Sequence, residues 1–235
     1  MVARPSTPLI SREATVAAAL QIIDDDGLDA LSLPRLAREL NVKAPSLYHH
    51  FSDKNEILAA VAQGIVAKTT FPRKPASGDW AEWFTQLSLN FRAAVLRHRK
   101  AAPILLQFLP RELLTDLYES AAVYLDECGV PVELHVQILD GLEKLALGAT
   151  IAEAMRPHSR SRVQFEYADA ERHPVLTAAG RANQLNPRQV FEQMIRSYLL
   201  GVQHFGMVES SSDGGRSRTV PASSPVVTEK LDATA

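Results

Sequence analysis

Apolar residues recur at i, i+3, i+4 and i+7 along almost the whole chain, and no stretch alternates apolar and polar positions as a half-buried strand would. That spacing predicts an all-α fold. A first helix opens after Ser11, a good N-cap, carries Val16, Ala19, Leu20 and Ile23 on one face, and stops at Gly27 in a left-handed cap. A second, short helix starts at Ser32, takes Pro34 in its first turn, and buries Leu33, Leu36, Ala37 and Leu40 before Asn41 breaks it. Pro45 suits the first turn of a third short helix, whose single inward face is Leu47 and Phe51. A fourth follows Asp53, with Glu56 completing a capping box and Ile57, Leu58, Val61 and Ile65 facing inward.

The run 71–79 mixes Pro, Gly and Ser and marks a domain boundary. Downstream the helices lengthen. Asp79 and Glu82 form a second capping box for a helix reaching about His98, with Trp80, Trp83, Phe84, Leu87, Phe91 and Val95 along it. A short segment with Pro103 in its first turn ends near Pro110, and a helix from Arg111 to Cys128 is closed by Gly129. The next, begun by Pro131 and ended by Pro157, is about 37 Å long at 1.5 Å per residue. Its apolar positions cover more than one face, so it must be covered on more than one side. Residues 157–185 read as loop with one or two short helices. A last helix begins at Asn186-Pro187, runs to Phe205 and is closed by Gly206. The resulting domains are a flexible arm over 1–10, a helix-turn-helix domain over 11–70, a helical domain over 79–207 and a disordered tail over 208–235.

Composition narrows the setting. With 235 residues, 46% of them apolar, a stable core forms without staples, and the single cysteine excludes an internal disulfide and suits a reducing cytoplasm. Cys128 reads as a small buried hydrophobe. There is no apolar run after the first charges and no stretch of 18 uncharged apolar residues, so neither a signal peptide nor a membrane span is expected. The 25 basic and 27 acidic residues give a net charge of −2, which by itself points away from nucleic acid. His98, His135, His158, His173 and His204 lack metal-ligand spacing, no Glu-x-x-His pair occurs, and neither a phosphate loop nor a nucleophile elbow is present. No metal, no cofactor and no enzymatic activity are therefore expected. Asp24-Asp25-Asp26 reads as a solvated helix end, although three acids at a C-terminus oppose the helix dipole.

One local pattern points the other way from the charge. Two short helices joined by Asn41-Val42-Lys43 have the spacing of a helix-turn-helix reader, its first helix across the backbone and its second in the major groove. With Leu47 and Phe51 committed inward, Lys43, Ala44, Pro45, Ser46, Tyr48, His49 and His50 face outward. Ser and His hydrogen-bond base edges, Ala and Pro touch thymine methyls, and Tyr48 and His50 reach phosphates. Lys54 is a cation in the first turn of a helix, where it opposes the macrodipole, and a phosphate oxygen would relieve that conflict. Between Leu31 and Lys54 the charges are Arg35, Arg38, Lys43 and Lys54 against Glu39 and Asp53, so placed contacts rather than a broad positive field would carry binding.

The run from Leu31 to Lys54, and above all Leu-Tyr-His-His-Phe at 47–51 followed by Lys54, resembles the DNA-binding domain of the TetR family of bacterial transcriptional regulators. Residues 80–99 and 129–154 are similar to the effector domain of its tetracycline-binding members, and the likeness covers 11–156 well and 186–206 loosely. The resemblance implies a homodimer on operator DNA, a ligand pocket in the C-terminal domain, and loss of operator binding when the pocket fills. Carried over by position, it assigns Lys43, Ala44, Pro45, Ser46, Tyr48 and His49 to bases, and Ser32, His50 and Lys54 to phosphates. The drug-binding amide of those members falls at Leu87, one metal-binding imidazole at Leu105 and another near Thr70, while the aromatic position, Phe91, is kept. The groups that would hold magnesium and tetracycline are absent.

The expected pocket is apolar, with Leu87, Asn90, Phe91, Leu105, Leu106, Leu117, Tyr118 and Leu142 as its lining, Leu145 beside them, and Gln86 and Gln107 as further polar groups. The effector is then a small, largely apolar molecule. The girdles of the Pro131 and Pro187 helices either finish one core or pair with their copies as a four-helix interface; a short reading helix needs two half-sites, which favours the homodimer. The expected function is a ligand-responsive, homodimeric repressor in the cytoplasm, with no membrane partner. The alternatives are a helical-bundle catalyst, for which no constellation exists, and an interaction or binding module that no longer binds DNA.

Overall fold

The structure, a computed structural model, describes residues 11–156, 165 and 168–212, with side chains as far as 204. No strand occurs among the described residues. The arm expected over 1–10 lies outside them, as do 157–164 and 213–235.

Four helices make the N-terminal unit: α1 (Arg12–Asp26), α2 (Leu33–Glu39), α3 (Ala44–Leu47) and α4 (Lys54–Val66). Their ends are set by local chemistry. The Ser11 hydroxyl accepts the Ala14 N–H at 3.1 Å, and Gly27, at φ +91°, sends its own N–H to the Ile23 carbonyl. Its ψ of 168° is extended rather than left-handed helical. The capping boxes at Asp53 and Asp79 form by halves. Each aspartate accepts the N–H three residues on, but Glu56 reaches back to the Ser52 N–H at 2.7 Å and Glu82 turns to Arg196. The reciprocal box appears at Asn186 and Gln189, each accepting the other's N–H at 2.9 Å.

Beyond the linker come α5 (Trp80–Leu96), a 3₁₀ turn (Ala102–Leu106), α6 (Arg111–Glu127), α7 (His135–Ala154), α8 (Pro174–Ala182) and α9 (Pro187–Ser212). α5 packs along both α7 and α9 and also touches α4. Two expectations are corrected here. The helix expected from Pro131 begins as a 3₁₀ turn, Val132–Leu134, so its α-helical part is shorter. Gly206 does not close the last helix, which runs on to Ser212; one glycine costs only about 1 kcal/mol in a helix interior, too little to end one this long. The tail expected from 208 therefore overlaps helical backbone.

Two apolar cores result. One fills the N-terminal unit with Ile23, Leu36, Leu47, Ile57 and Val61, and continues into Val95, Ile104, Leu105 and Ile151. The break at 71–79 is thus a break in the chain but not in the core. The second joins Trp83, Phe84, Leu125, Ile138, Phe191, Ile195 and Leu199. α7 and α9 come so close that a Cβ at Gly141 would overlap the Tyr198 hydroxyl, which donates to the Gln137 carbonyl at 2.5 Å.

The acidic run at the end of α1 is not simply solvated. Asp24 meets His98 Nδ1 at 2.7 Å, the Asp25 carbonyl accepts Lys100 at 2.7 Å, and Asp26 pairs with Arg35 of α2 at 2.6 Å. The unfavourable dipole is offset by partners on both sides.

Candidate functional site

The turn between α2 and α3 is built by hydrogen bonds that leave the chain little freedom. Asn41, at φ +52°, is the only non-glycine residue with positive φ among the described residues. Its N–H goes to the Arg38 carbonyl at 3.1 Å and the Val42 N–H to the Ala37 carbonyl at 2.9 Å, a Schellman motif with asparagine in the left-handed position. The chain then enters α3 through Lys43 and Pro45. The helix proper is only four residues, but the Phe51 N–H still reaches the Leu47 carbonyl at 3.0 Å, which carries Phe51 onto the same buried face.

That burial fixes what looks outward. Lys43, Pro45, Tyr48 and His49 are exposed, Tyr48 by 57%, while Ser46 and His50 are half-buried. Ala44 is half-buried too and packs partly on the core. The Ser32 hydroxyl accepts the Arg35 N–H at 3.3 Å and keeps its proton to donate. Lys54 is the first residue of α4, and its ammonium has no hydrogen bond or ion pair among the described residues. A cation left unpaired beside a helix N-terminus suits an anion bridging both.

Sequence reasoning missed what steadies this face. Arg12 lays its guanidinium over the Phe51 ring at 4.3 Å, donates to the His50 carbonyl at 2.7 Å and pairs with Glu56 at 2.8 Å. The Ser52 N–H and then Arg12 hold the Glu56 carboxyl down to about 2, so it stays ionised. The signal was available: Arg12, like Lys54, is a cation in a helix's first turn, where the macrodipole disfavours it.

A second site lies deeper. Between α5, α6 and α7 there is an apolar cavity enclosing about 780 Å³ of empty space, its mouth included. Leu87, Phe91, Leu117, Tyr118 and Leu142 line it as expected from the sequence. Three expected residues do not. Leu105 is fully buried in the first core and Leu106 is 65% exposed, because neighbours on a 3₁₀ turn stand about 120° apart and cannot share a wall. Asn90 is spent elsewhere, donating to the Thr70 carbonyl at 2.6 Å and accepting from Gln86. Gln107 is exposed, and Leu145 packs in the second core.

The structure adds lining residues that the pattern did not single out. Val66 and Thr69 come from the end of α4 and just beyond it, and Glu143 stands on α7. Glu143 accepts the Tyr118 hydroxyl and faces Arg111 Nη1 at 3.1 Å. Burial, and then this carboxylate, push the Tyr118 hydroxyl well above its ordinary range, so it remains a donor. No cluster of three metal-ligating side chains occurs among the described residues, and none of their helices is long and apolar enough to cross a membrane.

Comparison with known proteins covers both parts of the chain. The family model described as bacterial regulatory proteins, tetR family, matches residues 16–61, and the one described as tetracyclin repressor-like, C-terminal domain, matches 71–205. The class D tetracycline repressor protein of Escherichia coli is 29% identical over 168 residues, spanning 71% of this chain and 76% of that protein. A possible TetR family transcriptional regulator from Streptomyces coelicolor A3(2) superposes with a TM-score of 0.69 at 27% identity, covering 83% of this chain and 100% of that one. The Streptomyces coelicolor TetR family protein ActR, in complex with actinorhodin, gives 0.67 at 25% identity over 83% and 98% of the two chains.

Proposed function

The chain belongs to the TetR family of bacterial regulatory proteins, and from that premise we propose that it is a transcriptional repressor released from its operator by a small organic effector. One observation carries the coupling. α4 is a single helix of 13 residues, about 20 Å long, with Lys54 of the reading face at one end and Val66 of the cavity wall at the other. A molecule seated in the cavity presses on the same rigid element that positions the DNA contacts.

In this reading Ser46 and His49 address base edges, with Lys43, Ala44, Pro45 and Tyr48 around them, while Ser32, His50 and Lys54 hold phosphates. Such a face spans only a few base pairs, so two copies related by a two-fold axis read half-sites about 34 Å apart. The exposed apolar residues Val136 of α7 and Leu200 of α9 supply a surface for that dimer. The effector shifts the population toward a separation of the reading helices that no longer matches successive major grooves. ActR, solved with actinorhodin, supports an organic small molecule as the effector class, and the apolar lining supports a largely hydrophobic one. The regulators of this family are not enzymes, and we read this chain likewise.

The test is selection of fragments from the source genome by the full-length protein, followed by anisotropy titrations on the enriched site. A pseudo-palindrome is expected, and Leu117→Trp, which fills the cavity, should keep operator affinity while abolishing release by a bound effector. Failure to enrich any palindrome would overturn the reading.

A further inference from the structure

The cavity is largely apolar, and Glu143 is the one charged residue in its lining. Glu143 stands among Leu139, Leu142, Ala146 and Leu147 on the inward side of α7, and its side chain is only 14% exposed. A carboxylate withdrawn from water requires donors and a counter-charge. Its donors are unequal. The Tyr118 hydroxyl is an interior partner, held on the cavity wall and kept protonated by burial and by the carboxylate itself. Arg111, the first residue of α6, has a side chain 71% exposed and approaches through one nitrogen, 3.1 Å from Oε1 and 3.3 Å from Oε2. An exposed guanidinium that makes no two-nitrogen fork holds weakly and is readily displaced.

Resting on the reading of this cavity as the effector site, we propose that the effector is an amphiphilic organic cation whose protonated nitrogen binds Glu143 in place of Arg111. Its hydrophobic skeleton lies between Phe84, Phe91, Leu117 and Leu142. An anion would meet the carboxylate at close range in apolar surroundings. A neutral skeleton would plug the mouth and strip water from Glu143 and Arg111 while giving nothing in return. A cation neutralises the carboxylate from inside, and the faces of Phe84, Phe91 and Tyr118 add attraction for positive charge.

The test is isothermal titration calorimetry of the full-length protein at neutral pH with three tricyclic probes: 9-aminoacridine, a cation; acridine, neutral; and acridine-9-carboxylate, an anion. The wild type should bind 9-aminoacridine at least about tenfold more tightly than acridine, the difference expected of a hydrogen bond to a charged group. Glu143→Gln should remove that preference and leave acridine unaffected, and Arg111→Ala should tighten the cation further. Equal affinities in the wild type, or a preference that survives Glu143→Gln, overturn the proposal, as does failure of 9-aminoacridine to bind. Leu117→Trp separates this from the underlying reading. If it blocks acridine, the cavity is the site even where the charge preference fails; if it blocks none of the probes that bind, the reading of the cavity fails as well.

Discussion

The reading face and the cavity, proposed as the sites for DNA and effector, are built in opposite ways. The first is assembled from 23 consecutive positions, 32–54, whose caps, Schellman turn and proline are all satisfied by near neighbours in sequence. The second draws on residues from Val66 to Leu147 and is defined by what is not filled. A polymer with a regular groove is read by a few side chains on a rigid local scaffold. A small molecule is held only if distant elements agree to leave a space, and stability works against that agreement.

The contrast can be broken at four points, in falling order of effect. Leu36, wholly buried in the solid core beneath the reading helices, should cost about 3 kcal/mol when changed to alanine, against less than half that for Leu117→Ala on the cavity wall. Equal losses in denaturant titrations would mean that the cavity is closed in solution. At the reading face, His49→Ala or Ser46→Ala should relax discrimination at individual base pairs by about 1–3 kcal/mol. Lys54→Ala should instead weaken all sequences alike and make the salt dependence shallower by about 2 for a dimer; an unchanged slope removes the phosphate role. Arg12→Ala, which strips the stack on Phe51 and the bond to the His50 carbonyl, should lower stability by about 1 kcal/mol and weaken operator binding without touching cavity ligands. The smallest effect is a pH dependence. Because the folded Glu56 carboxyl sits near 2 against an ordinary 4.5, its contribution is complete above 4.5 and fades as pH falls through about 2. The difference in Tm between wild type and Glu56→Gln should shrink over that window.

Most of the fold was legible because helices announce themselves by period and by their ends: Ser11, Asn41, Gly129 and Asn186 are residues whose chemistry selects a cap. Extent was harder to read where a glycine sits inside a helix held by packing, as at 206. The reading face was legible for the same local reason. The cavity was legible only as a composition. Leu87 and Phe91 follow from helix period, but which side of the Ala102–Leu106 turn faces inward depends on a geometry of three residues per turn that apolar spacing does not report. Glu143 was passed over because one carboxylate on a long helix is normally solvated, and its burial depends on α6 covering it. Arg12 and the Asp24–His98 pair were missed because their partners lie 38 to 74 residues away.

The contact at Gly141 has a consequence for the assembly. With no side chain there, Tyr198 keys α9 to the backbone of α7 one residue before the cavity-lining Leu142 and Glu143. Any side chain at that position would have to displace the tyrosine and part the two helices, so the setting of α9, whose outer surface the proposed dimer uses, rests on one missing methyl group.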